Sequence, residues 1–175
     1  MKKVFISLLL LGSFFYASGQ NEINKIDERG LRQGRWIIQT VNSQVECGYL
    51  DNLLHGVYLS HSAVSGKLQS IGEFDHGEYS GTWYFFDDNG TPLSKVENIQ
   101  KNDSIVINSK KIYFKGGKPE FVATLVNFYN SGMIKSKGTI LYSGSFEEDY
   151  LEYGEWIVYD TKGNVIRTVD KNNDH

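Results

Sequence analysis

The chain has 175 residues, a formal charge of −3, one cysteine and an aromatic content of 14%. A mildly acidic chain is a poor candidate for binding nucleic acid or for binding anionic membranes by charge. A single cysteine excludes an internal disulfide, so the fold must be stabilised by packing. Cys47 is expected to be a small buried apolar residue rather than a reactive thiol or an intermolecular bridge.

Residues 1–19 have the pattern of a secretory signal peptide. Lys2 and Lys3 form a positive start, an apolar run follows, and Ala17 and Gly19 are small residues at the positions that signal peptidase reads. The apolar run is shorter than the roughly 20 residues that span a bilayer, which argues against an uncleaved anchor. We therefore predict cleavage before Gln20 and export to the periplasm or the extracellular space.

A glycine followed two residues later by an aromatic residue recurs along the chain. These steps begin at Gly34, Gly56, Gly81 and Gly154, at intervals of 22, 25 and 73 residues. The last interval is close to three periods, which suggests two units between the third and fourth steps that are degenerate or altered by insertion. The glycine is expected to allow a tight turn and a close backbone approach. The aromatic residues of the steps should occupy equivalent places in a repeated core: Trp36, Tyr58, Trp83 and Trp156.

Short strands and turns alternate around each step. "SIGEFDHGEYSG" leads into the third step, and "FFDDNG" and "VYDTKG" follow the third and the fourth. Strands rich in aromatic and β-branched residues, separated by turns whose residues accept positive φ, are typical of β-hairpins. We predict an all-β fold over residues 20–170, in which stacked antiparallel β-hairpins form an open meander.

Two segments depart from this pattern. Residues 96–120 are predicted to be a diverged or inserted hairpin, with strands at residues 104–107 and 111–114 and a turn at Gly116 and Gly117. Four lysines make this the most basic region, which could contact an acidic partner, and its "KGGK" is interpreted as a turn because no helix follows to hold a phosphate. Residues 171–175 are polar and predicted to be frayed.

The third unit, "GEFDHGEYSGTWYFFDDNGTPL", resembles the MORN-like repeat (membrane occupation and recognition nexus) of bacterial antitoxin-type proteins. "GSFEEDYLEYGEWIVYDTKGNV" is a second match with a longer first turn, and "ERGLRQGRWI" and "GYLDNLLHGVY" are partial matches. The resemblance implies a flat or gently curved ribbon of stacked hairpins. It also implies a binding or scaffolding role rather than an enzymatic one.

Alternation along "TWYFFD" places Trp83 and Phe85 on one face of a strand and Tyr84 and Phe86 on the other. Tyr159 follows Trp156 at the same distance as Phe86 follows Trp83. Two arrangements fit this pattern: a second layer covers both faces, or one face stays partly open. In the second arrangement Tyr84, Phe86 and Tyr159 are the candidate binding residues.

The polar motifs are better explained by turns than by chemistry. The "DDNG" segment at Asp87 lacks the distant glutamate of an EF-type calcium loop. The histidines lack the spacing or the cysteine partners of zinc sites, and the recurrence of His55 and His76 before a turn glycine follows from the repeat. Acid–base chemistry at Asp75 and His76 is the alternative. We predict no catalytic residue, no metal site and no cofactor.

The sequence therefore favours a non-enzymatic exported protein that mediates protein–protein interaction or scaffolding in the cell envelope or outside the cell. The alternative is a carbohydrate- or lipid-binding module that uses the same aromatic face. An open sheet has two free edges that can pair with a second copy, so a homodimer is a further expectation.

Overall fold

The computed structural model describes residues 22–107, 118–147 and 149–172, which leaves the predicted signal peptide outside the described residues. Within these ranges, eleven strands form one open sheet in which every strand pairs with the next in an antiparallel manner. The strands are β1 (Lys25–Ile26), β2 (Arg32–Gln39), β3 (Ser43–Leu50), β4 (Leu53–Ser62), β5 (Leu68–Asp75), β6 (Glu78–Phe86), β7 (Pro92–Lys101), β8 (Phe121–Phe128), β9 (Ile134–Tyr142), β10 (Leu151–Tyr159) and β11 (Val165–Asp170). The predicted all-β meander of hairpins is confirmed. In the described part of the chain, no helix has the length and apolar character needed to cross a membrane.

The turn after β6 shows what an acidic residue three positions before a turn glycine does. Gly90 has a φ of 83°, and its N–H donates to the Asp87 carbonyl at 2.9 Å. The Asp87 carboxylate accepts the backbone N–H groups of Asn89 and Thr91, both at 2.8 Å. These bonds, above all the one from Thr91, lower the pKa of Asp87. The same backbone pattern recurs in the turns that begin at Asp27, Tyr129 and Asp160.

The step glycines lie inside strands and not in turns, which corrects the expectation from the sequence. Gly81 has a φ of 64°, and the pairing of β5 with β6 shifts by two residues there, since Glu73 pairs with Ser80 but Ile71 pairs with Tyr84. Gly81 and the residue after it therefore form a β-bulge whose left-handed conformation favours glycine. The other step glycines also have positive φ, and no atom lies near them that a side chain would hit: Gly34, Gly56 and Gly154.

One row of residues crosses the sheet from β2 to β11 and forms the core; we call its side of the sheet the front face. Trp83 at the centre of the row is fully buried, and Trp156 is 3% exposed. Trp36 and Tyr58, nearer the first edge, are half-buried. In strand order the row contains Trp36, Cys47, Tyr58, Gly72, Trp83, Val96, Leu125, Gly138, Trp156 and Val169.

Close backbone approach does occur, but at glycines of the strand before each buried tryptophan. A Cβ atom on Gly72 would lie 2.1 Å from the ring of Trp83, and one on Gly138 would lie 2.3 Å from the ring of Trp156. At the equivalent place in the second unit, Cys47 pairs with Tyr58, whose ring is smaller than an indole and is opposed by a short side chain instead of a glycine. Cys47 is 3% exposed, and burial raises the pKa of its thiol, so it packs as a small apolar residue.

The long interval between the third and fourth steps holds one degenerate unit in the described chain, and not two. Strand β8 takes the place of an aromatic strand, with Leu125 in the core row. The added length lies in the connection between β7 and β8, because residues 96–101 belong to β7.

Residues 104–107 form no strand; instead Ile105 and Ile107 pack against Leu141 on the face opposite the core row. The predicted strand at 111–114 and the glycine turn after it lie outside the described residues. At the other end of the chain, the Lys171 N–H donates to the Gly154 carbonyl at 2.9 Å, so the polar tail remains attached there. Residues 173–175 lie outside the described residues.

Candidate functional site

A second row of side chains crosses the side of the sheet opposite the core row; we call this side the back face. Tyr84 at its centre is 40% exposed, and its neighbours Leu59 and Ile71 are half-buried. Val57, at the bulge of β4, is 53% exposed. In strand order the row contains Ile37, Glu46, Leu59, Ile71, Tyr84, Lys95, Val126, Lys137, Ile157 and Thr168. The back face therefore presents an accessible apolar strip across β4 to β6.

Ion pairs border this strip on both sides. Arg35 Nε lies 2.7 Å from Glu46 Oε1, and Lys95 Nζ lies 2.6 Å from Glu97 Oε2. The hydrogen bond from Arg35 lowers the pKa of the Glu46 carboxyl, so the pair stays charged at neutral pH. An apolar centre with a charged border is the usual anatomy of a protein–protein interface.

The three candidate binding residues share the back face, but the structure does not bring all of them together. Tyr84 and Phe86 lie on β6, and Phe86 is half-buried. Tyr159 lies on β10, and four strand spacings of about 4.8 Å put it about 19 Å from β6. Its carbonyl accepts the Tyr129 hydroxyl at 2.7 Å. Tyr84 and Phe86 can thus belong to one contact surface, and Tyr159 belongs to another part of the face.

The front face carries a groove that sequence reasoning missed. Phe146, in the connection between β9 and β10, folds back over the core row and is 4% exposed, with its ring 4.2 Å from that of Tyr79. The Tyr79 hydroxyl lies 2.9 Å from Ser145 Oγ and donates to Glu147 Oε1 at 3.0 Å, which fastens the connection to β6. The sequence does show that the first turn of the fourth unit is longer than the others. The length of that turn does not determine that Phe146 packs over the core row.

A cavity of about 260 Å³ lies between this connection and the sheet. It combines apolar and aromatic surface with the Ser94 hydroxyl, the Asn127 amide and the Glu147 carboxylate, and Tyr150 at its edge is 40% exposed. The apolar and aromatic lining residues are Phe85, Val96, Leu125, Ile140, Phe146 and Tyr150. Ring faces beside a few hydrogen-bonding groups can hold a small polar molecule.

The structure also brings two histidines of successive units into contact. The rings of His55 and His76 have centroids 4.9 Å apart, and Asp75 Oδ1 lies 2.6 Å from His76 Nδ1. His61 lies further along β4 and pairs across the sheet with Gln44 and Leu68. The interpretation of the two "HG" pairs as one turn position of the repeat is wrong, because Gly56 is the step glycine inside β4 and Gly77 lies in the turn between β5 and β6.

Comparison of the chain with protein-family models, with curated proteins and with solved structures finds no match. Function therefore has to be inferred from the surfaces that the fold presents.

Proposed function

We propose that this protein is an exported, non-enzymatic interaction protein of the MORN-like type, which binds a protein partner through the back face around Tyr84. The observation that carries the proposal is the accessible strip of Leu59, Ile71 and Tyr84, bordered by ion pairs. Apolar surface that stays in contact with water is unfavourable by about 25 cal/mol per Å², and a partner removes that cost. Tyrosine is also among the residues that most often dominate binding energy.

The architecture supports a docking or scaffolding role. Each hairpin packs on its neighbours, so an array of this kind is an extended surface rather than an enclosed pocket. The stacked hairpins and the repeated glycine bulges agree with the ribbon that the MORN-like resemblance implies. The predicted signal peptide supports a partner in the cell envelope or outside the cell.

A matched pair of photo-crosslinking variants tests the proposal. Tyr84 on the back face and Tyr150 beside the front groove are each 40% exposed. Each is replaced in turn with a photoreactive phenylalanine analogue. Because the two positions are equally exposed, non-specific crosslinking is expected to be the same at both. We expect a defined protein adduct in cells with the Tyr84 variant and not with the Tyr150 variant, and Phe86→Ser should reduce its yield. Equal adducts at both positions, or none at Tyr84, would contradict the back-face interface.

The front groove favours a second candidate function, the binding of a small carbohydrate. Its exposed Tyr150 ring could stack on a sugar, and its Asn127 amide and Ser94 hydroxyl could hydrogen-bond sugar hydroxyls. Binding to a glycan array that is lost in Tyr150→Ser but kept in Tyr84→Ser would favour this function. The reverse dependence would assign glycan binding to the back face, and retention of liposomes would indicate a lipid ligand.

A further inference from the structure

Two imidazoles and one carboxylate from neighbouring hairpins converge at one place on the sheet. His55 lies in β4, Asp75 ends β5, and His76 begins the turn to β6. Asp75 Oδ1 lies 2.6 Å from His76 Nδ1 and 3.4 Å from His55 Nδ1. One ligand atom from each of the three residues can be chosen so that all three lie within 4.8 Å of one another.

The sheet pairing accounts for this convergence. His55 precedes the step glycine Gly56, which pairs with Phe74 of β5, and His76 precedes the turn glycine Gly77, so the turn after β5 lies beside His55. The turn is tied to β4 because the Gly77 N–H donates to the Leu54 carbonyl at 2.8 Å, directly beside His55. Backbone hydrogen bonds therefore hold the two imidazoles in proximity, and the convergence does not depend on chance orientations of long side chains.

One ring nitrogen of the cluster has no hydrogen-bonding role in the fold. His55 Nδ1 is shielded from solvent and makes no hydrogen bond, since its contact with Asp75 at 3.4 Å does not have hydrogen-bond geometry. A shielded polar atom without a partner is unfavourable, and a metal ion would satisfy it. This nitrogen faces a carboxylate and a second imidazole, which are the other donors that such an ion needs.

The spacing suits a tetrahedral ion. Ligand atoms about 2.1 Å from a tetrahedral zinc ion lie about 3.4 Å from one another. The separations of 2.6 and 3.4 Å around Asp75, within a group that spans 4.8 Å, come to this spacing by movements of about 1 Å. The three side chains are 42, 65 and 61% exposed for His55, Asp75 and His76, so such movements meet little resistance.

We propose that His55, Asp75 and His76 form a binding site for a late transition-metal ion such as Zn²⁺, with water completing the coordination. Imidazole and carboxylate donors suit zinc, nickel and copper rather than calcium or magnesium, which prefer oxygen ligands alone. The ion would link the second hairpin to the third across β4 and β5. This site is independent of the proposed protein interface, because its residues are not those of the apolar strip.

Zinc titration of the chelator-treated, untagged protein tests the site. Isothermal calorimetry should show one bound Zn²⁺ per chain, with affinity at least tenfold weaker in His55→Ala and in His76→Ala. Asp75→Asn should also weaken binding, since it keeps the shape of the side chain but removes its charge. His61→Ala and His175→Ala are matched controls that should bind as the wild type does.

Imidazole NMR identifies the ligands directly. Long-range ¹⁵N correlation spectra should show the nitrogen shift of metal ligation at His55 and His76 but not at His61. In thermal unfolding, zinc should raise the melting temperature of the wild type and leave that of the His55→Ala variant unchanged. Circular dichroism confirms that each variant is folded. Zinc binding that is absent, or equally strong in the His55→Ala and His61→Ala variants, would overturn the proposal.

Discussion

A single methyl group on Gly72 is expected to destabilise the fold more than most substitutions of large side chains by smaller ones. The Cβ of an alanine there would lie 2.1, 2.3 and 2.6 Å from three atoms of the Trp83 indole, far inside an ordinary contact of about 3.5 Å. Gly72 does not have a positive φ, so Gly72→Ala introduces no backbone strain and tests the space alone. The indole would have to move by about 1 Å.

The surroundings of Trp83 leave it little freedom to move. It is fully buried, with the rings of Phe74 and Tyr79 at centroid distances of 5.0 and 4.8 Å, and its Nε1–H donates to the Glu73 carbonyl at 3.1 Å. Overpacking costs about 1–3 kcal/mol, and loss of that hydrogen bond in a buried place adds about 1–3 kcal/mol. We therefore expect Gly72→Ala to lower the free energy of unfolding by about 4 kcal/mol.

The chain itself supplies the compensating change. Because Cys47 faces Tyr58 where Gly72 faces Trp83, the double variant Gly72→Ala/Trp83→Tyr resembles the pairing of a small residue with tyrosine that the second unit already uses. We expect it to be more stable than the sum of the two single changes by about 1–3 kcal/mol.

Urea unfolding measures these differences, with the fluorescence of the remaining tryptophans Trp36 and Trp156 as the signal. Gly138→Ala, which would place a Cβ 2.3 Å from the Trp156 ring, is an independent copy of the experiment. A cost below about 1 kcal/mol for Gly72→Ala, or no coupling in the double variant, would refute the proposed packing of tryptophan on glycine.

Three further predictions concern a turn, the front connection and the thiol. The pKa of Asp87 is lowered in the folded state by the N–H groups that its carboxylate accepts. Its contribution to the stability of the fold is therefore present above the ordinary pKa of 3.8 and is lost as the pH falls. Asp87→Asn should lower the melting temperature at pH 7 and make little difference in strong acid. Tyr79→Phe removes the hydrogen bonds to Ser145 and Glu147 and should cost about 1–2 kcal/mol, with faster amide exchange at Phe146 as the specific readout and unchanged exchange in β2 as the control. The Cys47 thiol should react with a disulfide reagent at least a hundredfold more slowly in native protein than in urea, because it is buried and its pKa is raised; a native rate near the unfolded rate would contradict this.

The hairpin architecture was predictable because its signals are local. A turn glycine with an acidic residue three positions earlier, as at Asp87 and Gly90, specifies its own geometry through bonds between near neighbours. The alternation of Trp83 and Tyr84 likewise needs only the period of a strand. The interpretation of Cys47 as a small buried residue came from the general tendency of a lone cysteine, and its burial in the structure agrees with this.

The candidate sites were less predictable because they depend on which strands become neighbours. The interval between the third and fourth steps did not give the number of units there, since Leu125 has no aromatic side chain to mark it and only its pairing with Val96 places it in the core row. Tyr159 and Phe86 occupy equivalent positions in the repeat. That equivalence does not give the distance between β6 and β10, which separates the two side chains. The front groove depends on Phe146 folding back over the sheet, which the length of a connection does not determine.

The sequence by itself therefore determined that the chain forms hairpins, where most turns lie and which aromatic residue of each of the four step strands faces the core, because these depend on bonds and periods within a few residues. Only the tertiary structure shows that position 72 requires glycine, because the Trp83 ring on the adjacent strand occupies the space of a side chain there. It also decided that His55 and His76 meet, since a residue inside β4 and a residue in the turn after β5 become neighbours only when hydrogen bonds set the register of one hairpin against the next.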